Sequence, residues 1–271
     1  MRRPVWTVIV GAVVYTFMLL PVAIVIWMSF FRQAFLNFPP AGYSLRWYAG
    51  LTDQPDLFDG LLYSLEIAAI TTIIAVALGV IAALGLSRAR LRGRTLLENG
   101  FILPLVIPAI VTGMAIYIYL YQLSGAIQVG LVPSTWSLVA AHTMITLPWT
   151  FRLAYAGMAS VGRDVERASM DLGRRPMATL WRITLPLLRP SLIGAAIFAF
   201  IFSFGDLEIS LFLVSPGKTT LPVAMVQYAE FKVDPTIAAM STIQILLIGI
   251  LLVIANRVVR FGEAFSGGIK Q

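Results

Sequence analysis

Residues 61–86 read LLYSLEIAAITTIIAVALGVIAALGL, with Glu66 as their one charge. Coiled as a helix at 1.5 Å per residue, the stretch is ~39 Å long, more than the ~30 Å hydrocarbon core of a bilayer. About 20 mostly apolar residues are enough to span. Outward from it, five further stretches have comparable length and character: approximately Val5–Phe30, Gly100–Tyr121, Ser137–Gly157, Ser191–Val214 and Ile237–Ala255. The whole chain agrees, being 59% hydrophobic and 12% charged over 271 residues, where a soluble domain carries roughly a quarter charged. The expected fold class is therefore all-α: a polytopic membrane protein of six transmembrane helices, with residues 1–271 forming a single membrane domain.

Arg2 and Arg3 before an apolar run also fit a signal peptide. That run is longer than a signal core, carries Trp6, Tyr15, Pro21 and Trp27, and has no small-residue cleavage site at Ser29–Arg32, so a retained anchor is expected. Orientation comes from where the bases lie. Segments 1–4, 87–99, 158–190 and 256–271 hold fifteen Lys and Arg, while 31–60, 122–136 and 215–236 hold only Arg32, Arg46, Lys218 and Lys232. Only Arg152 remains, near the end of the fourth stretch. Both termini are thus expected in the cytoplasm, and the formal charge of +7 reads as a topology signal with no nucleic-acid partner. With no cysteine, disulfides, thiol catalysis and thiolate metal sites are excluded.

Several local features carry two readings. Residues 31–60 combine Phe31, Phe35, Phe38, Trp47, Tyr48 and Leu57 with Asp53, Asp56 and Asp59, as in an interfacial cap or a plain connector. The basic run Arg88–Arg94 is a stop signal that attracts anionic lipid, or a partner contact. Pro104 and Pro108 remove backbone donors four residues apart and are expected to bend the third span. His142, the one histidine, is expected to be buried and neutral with a hydrogen-bond partner; a proton relay there would need acidic neighbours. Gly217-Lys218-Thr219 resembles the end of a phosphate-binding loop, but the position of its first glycine is Phe212.

Asp206 and Glu208 stand in the fifth stretch, after Phe204-Gly205. Acids at membrane depth face an interior or water and mark pathways. Two residues apart they diverge by roughly 200° on an intact helix, so either the helix loosens at Gly205 or only one acid faces the pathway. Pairing with Arg152, or with a base of a partner subunit, competes with contact to a cationic substrate.

The inner segment of about 158–190 is structured by its punctuation. Asp164–Leu172 reads as a short helix ending at Gly173, a residue suited to a left-handed cap. Pro176 opens a second short helix, which Leu185-Pro186 is expected to break. Met177, Leu180, Trp181 and Ile183 give that second helix an apolar surface able to seat in a partner's groove. Glu166-Arg-Ala-Ser-Met-Asp-Leu-Gly173, nine residues, then Ile183-Thr-Leu-Pro186 resembles the cytoplasmic loop signature of binding-protein-dependent ABC permeases, Glu-Ala-Ala, three residues, Gly, nine residues, Ile-x-Leu-Pro. Ala168 and Ser169 take the two Ala positions, Gly173, Ile183, Leu185 and Pro186 match, and Arg167 stands where the family has Glu, with Glu166 just before it.

Later segments such as 211–222 are similar to the spermidine/putrescine-type permeases, whose relatives also serve aminophosphonate and ferric iron systems. The resemblance implies an inner-membrane permease subunit that moves a small solute, a polyamine or related amine, received from a periplasmic binding protein. It also implies that this loop is a coupling helix for ATP-binding subunits, which hold the ATP and Mg, and that a second, similar but distinct permease chain completes the transporter. The chain itself is then no enzyme and holds no cofactor or metal. A self-sufficient secondary transporter or channel is the rival, and it calls for inverted repeats or several intramembrane charges. Neither is visible, nor is a catalytic constellation for a membrane enzyme.

Overall fold

The computed structural model describes residues 5–35, 37–88, 93–215 and 217–266. Arg2, Arg3, Arg90, Arg92 and Lys270, which contribute to the charge asymmetry, lie outside them. The helices run α1 (Val5–Met28), α2 (Arg46–Ala49), α3 (Pro55–Arg88), α4 (Arg94–Ile102), α5 (Ala109–Ile127), α6 (Thr135–Ser160), α7 (Arg163–Asp171), α8 (Pro176–Thr179), α9 (Leu185–Phe204), α10 (Ser210–Leu213), α11 (Leu221–Phe231) and α12 (Pro235–Ser266). Among the described residues there is no β-strand, only the isolated bridges Phe31–Tyr43 and Ser215–Lys218.

Five helices, over Trp6–Met28, Pro55–Arg88, Ala109–Ile127, Pro176–Phe204 and Pro235–Arg257, are long and apolar enough to cross a membrane. The remaining expected span is α6, with 26 residues. It is long enough but less apolar, because His142, Thr143, Thr146 and Thr150 are buried inside the protein rather than turned to lipid.

Three boundaries differ from expectation, each for a backbone reason. The third span does not merely bend. The chain leaves α4 through a 3₁₀ turn at Leu103–Leu105, and Pro108, extended at ψ 133°, starts α5 afresh. Two prolines four residues apart remove donors from successive turns, so the α-ladder stops instead of curving. The fifth span ends at Phe204, ten residues before the expected Val214. In contrast, Leu185-Pro186 does not break its helix. A π-helical turn over Leu180–Thr184 carries the chain from α8 into α9, and Pro186 falls in the first turn of α9, where its missing N–H costs no bond.

The Cα packing divides the chain into two compact units. The first comprises Met1–Asp59 and Ala224–Gly249. Here residues 31–60 take the cap form: Trp47 Nε1 donates to the Phe31 carbonyl at 2.6 Å, the Ser29 and Tyr48 hydroxyls meet at 2.6 Å, and Arg46 lies 4.2 Å from the centre of the Trp47 ring. Leu51 and Leu57 are buried beneath. The Trp6–Met28 stretch of α1 buries none of its apolar window, as befits a helix solvated by hydrocarbon.

The second unit comprises Gly60–Val223 and Ile250–Gln271. Its axis is α6, which packs on α9 and α3. Gly79 of α3 is required there, since a Cβ would lie 2.6 Å from Thr150 Oγ1 and 2.8 Å from the Phe151 nitrogen. That closeness lets Thr150 Oγ1 donate to the Ala75 carbonyl at 2.9 Å, the small-residue packing typical of membrane helices. Tyr63, Ile67, Leu138, Ile145, Ile209 and Leu213 form one apolar cluster, and Leu86, Phe151, Ala154, Met158 and Leu188 another. At the start of α4, Tyr155 and Arg94 hydrogen-bond Glu98 and hold its carboxyl below the ordinary value.

Candidate functional site: the coupling loop and the break after α9

The loop that carries the signature is built in three steps. Gly173 sits at φ +85°, its N–H reaches the Met170 carbonyl at 2.9 Å, and the Arg174 N–H reaches back to the Ser169 carbonyl at 3.3 Å. These two bonds are the closing pattern of a helix ended by a left-handed residue. Ser169, buried, then shares a 3.0 Å hydrogen bond with Thr179, fixing α7 against α8. Lastly, Glu166 forms an ion pair with Arg88 at the end of α3 and accepts from the Thr184 hydroxyl at 2.8 Å, while Arg163 donates to the Ser87 carbonyl. A cavity of about 250 Å³ lined by Leu84, Arg88, Glu166, Met170 and Leu180 lies beside this pair.

The adjacent positions point elsewhere. Arg167 is exposed and, among the described residues, makes a 3.5 Å contact with Asp164, one turn away. Ala168 is exposed as well. Leu172, Met177 and Trp181 are 87%, 65% and 67% exposed, an apolar face left open among the described residues. Ile183 and Leu185 are half-buried where the π-helical turn joins α9.

The second candidate region is the break after Phe204. Gly205 (φ −94°) ends α9, and Asp206 turns its carboxylate back on the chain: Oδ2 accepts from the backbone nitrogens of Ile209 at 3.2 Å and Ser210 at 3.0 Å, and from the Ser210 hydroxyl at 3.3 Å. A short polar side chain that takes up the free N–H groups at the start of the next turn, leading into α10, lets the chain begin again after the break without unpaired donors. His142 of α6 completes the cluster, with Nδ1 2.8 Å from Ser203 Oγ and Nε2 3.1 Å from Ser210 Oγ and 3.4 Å from Asp206 Oδ2. The histidine is wholly buried, and the acid side chain is 6% exposed. Asp206 thus meets His142 and not Arg152, which stands ten residues further along α6, ~15 Å away along its axis. Glu208, exposed, has no hydrogen bond or ion pair among the described residues. The helix loosens at Gly205, and the two acids part company there.

Arg88, Thr179, Thr184, Ser203 and Ser210 escaped the sequence reading as site residues. Their hydroxyls and guanidinium find partners 10 to 78 residues away, and no spacing rule encodes such pairs. Arg88 alone left a trace, as the first base after the second span.

Helices of membrane-spanning length, with a structured loop bearing an exposed apolar face ahead of α9, define a polytopic membrane protein. A family model described as binding-protein-dependent transport system inner membrane component matches residues 75–262, and the chain belongs to that family. It is 31% identical over 258 residues to the putrescine transport system permease protein PotI of Escherichia coli (strain K12), covering 93% of this chain and 90% of that protein. It is 28% identical over 268 residues to the putative 2-aminoethylphosphonate transport system permease protein PhnV of Salmonella choleraesuis (strain SC-B67), covering 96% and 98%. Among solved structures, a bacterial ABC transporter involved in the import of the acidic polysaccharide alginate superposes with a TM-score of 0.74 at 12% identity over 94% of each chain, a likeness of fold. The chain is a multi-pass inner-membrane ABC permease subunit.

Proposed function

We propose that this subunit passes a small ammonium-bearing solute, a polyamine or related amine, from a periplasmic binding protein into the cytoplasm. ATP and Mg are held and hydrolysed on separate ATP-binding subunits, which seat on the 158–190 loop, and a second, similar but distinct permease chain completes the pathway. Both termini lie in the cytoplasm in this reading. The carrying observation is the Gly173-capped loop with exposed Leu172, Met177 and Trp181. A short helix held by its cap and by Ser169–Thr179 moves as a rigid body, whereas a slack linker would absorb the stroke.

For the substrate, the support is Glu208. It is an exposed acid just past the end of α9, without a hydrogen bond or ion pair among the described residues, and an ionised group left unpaired at the edge of the membrane-spanning helices suits a pathway. Putrescine and 2-aminoethylphosphonate, named for the two relatives, both carry an amine, so one carboxylate suits either. The relative named for the phosphonate favours that solute as a second reading. The test is uptake in vesicles reconstituted with the partner subunits. Glu208→Gln is expected to lower uptake of the amine substrate about tenfold, ~1.4 kcal/mol of lost charge compensation, with assembly intact. Normal uptake by this variant removes Glu208 from the pathway. For orientation, a cysteine at Leu172 should resist an impermeant outside reagent and one at Asp56 should react; labelling of position 172 from outside would invert the topology.

A further inference from the structure

We propose that Glu166 acts inward as a positioning residue, clamping the coupling loop to the end of α3 through Arg88 and Thr184, and leaving contact with the ATP-binding subunit to Arg167 and the exposed apolar residues. The inference rests on the reading of this loop as the coupling element and assigns its acid a different task from docking. Three observations carry it. Glu166 is 13% exposed in its side chain and is already committed to Arg88 and Thr184, whereas Arg167 is 62% exposed and bound only to a neighbour on its own helix. Arg163, one turn before Glu166, donates to the Ser87 carbonyl, so α7 grips the end of α3 at two consecutive residues, 87 and 88. Ser87 in its turn donates to the Leu84 carbonyl at 3.1 Å and touches the Met158 sulfur at 3.2 Å, so the gripped end is itself anchored to its own helix and to α6.

The mechanical consequence concerns which spans the loop can drive. By covalent continuity it pulls on α6, which precedes it, and on α9, which follows. The clamp adds α3, the 34-residue helix that shares no loop with α7. A displacement of α7 is thereby delivered to three spans at once, and the ion pair supplies the directional, hydrogen-bonded joint that a rigid transfer needs. Thr184, at the end of the π-helical turn, ties the same carboxylate to the entry of α9.

Charge reversal tests this. Arg88→Glu and Glu166→Arg are made singly and together, with Glu166→Gln as the mildest change, in the assembled transporter. Co-purified ATP-binding subunit, uptake per ATP hydrolysed, and thermal melting of the permease purified without ATP-binding subunits are measured. Each single change is expected to keep the ATP-binding subunit within about twofold, lower uptake per ATP about tenfold and lower the melting temperature, and the double reversal should recover uptake and melting, as coupled residues in a double-mutant cycle do. If Glu166→Gln strips off the ATP-binding subunit while melting is unchanged, or if the double reversal is no better than the singles, the clamp is overturned. Trp181→Glu separates this from the docking reading: should it leave the ATP-binding subunit bound, the apolar face is not the seat, yet the melting arm still decides the clamp.

Discussion

The 158–190 loop and the break after α9 are built alike up to a point, and they part in the base that each one uses. In both, the chain turns at a glycine, an acid folds inward on to a base from a distant helix, and its near neighbour stays exposed: Glu166 on Arg88 with Arg167 outside, Asp206 on His142 with Glu208 outside. The loop has a guanidinium, charged at any working pH, at a half-exposed rim. The break has an imidazole and two serine hydroxyls in full burial. In the proposed reading, a joint between moving parts uses a strong pair that water can still reach, and a fixed stop beside α6 uses several modest bonds to groups that need not be charged.

His142→Ala breaks that contrast most severely. It strands Asp206, Ser203 and Ser210 around a cavity and should cost about 3–5 kcal/mol, read as a lower melting temperature in detergent and loss of assembly. Melting within a degree of the parent would show that the cluster carries no stability. Glu166→Gln keeps the hydrogen bond from Thr184 and loses the ion pair at a partly wet site, for which about 1–2 kcal/mol is expected in the same measurement. The two glycines sharpen the comparison further. Gly173→Ala forces a Cβ on to a residue at φ +85° with open space around it, a purely conformational cost of about 1 kcal/mol, while Gly205→Ala at φ −94° should be neutral or slightly stabilising. Equal losses at the two would mean that Gly173 relaxes out of its left-handed state. Smallest of all, Glu208→Gln should shift stability by less than about 0.5 kcal/mol, as for an unpartnered exposed group, so its effect on uptake can be read without correction.

Much of this architecture was legible because it rests on local rules. The spans follow from runs of apolar residues, the left-handed cap from Gly173, the start of α8 from Pro176, and the loosening after Phe204 was one of two options that the spacing of Asp206 and Glu208 left open. What was not legible is the direction in which a side chain turns. Glu166 and Arg167 are adjacent letters, and only the position of Arg88, 78 residues earlier, selects which of them is inside. Likewise Arg152 was the obvious base for the acids of the fifth span, and His142 took that place because it stands level with Ser203 and Ser210 across the α6–α9 packing. Pro186 misled for another reason: a proline stops a helix only where a bond would have formed, and the π-helical turn before it had already shifted the ladder.

The fourth span bears on how the chain enters the membrane in the first place. With His142, Thr143, Thr146 and Thr150 along it and Arg152 towards its end, α6 is a poorer passenger for the insertion machinery than the five more apolar helices. The groups that pair with Thr150 and His142 arrive at different times: the Ala75 carbonyl of α3 is made before α6, but Ser203 and Ser210 are made some sixty residues after it. During synthesis α6 therefore depends on the already inserted α3 to hold it at bilayer depth, and its integration is completed only when α9 has been threaded beside it. An early stall between residues 160 and 203 is therefore expected to leave His142 without Ser203 and Ser210, so that integration of the fourth span waits on the arrival of α9.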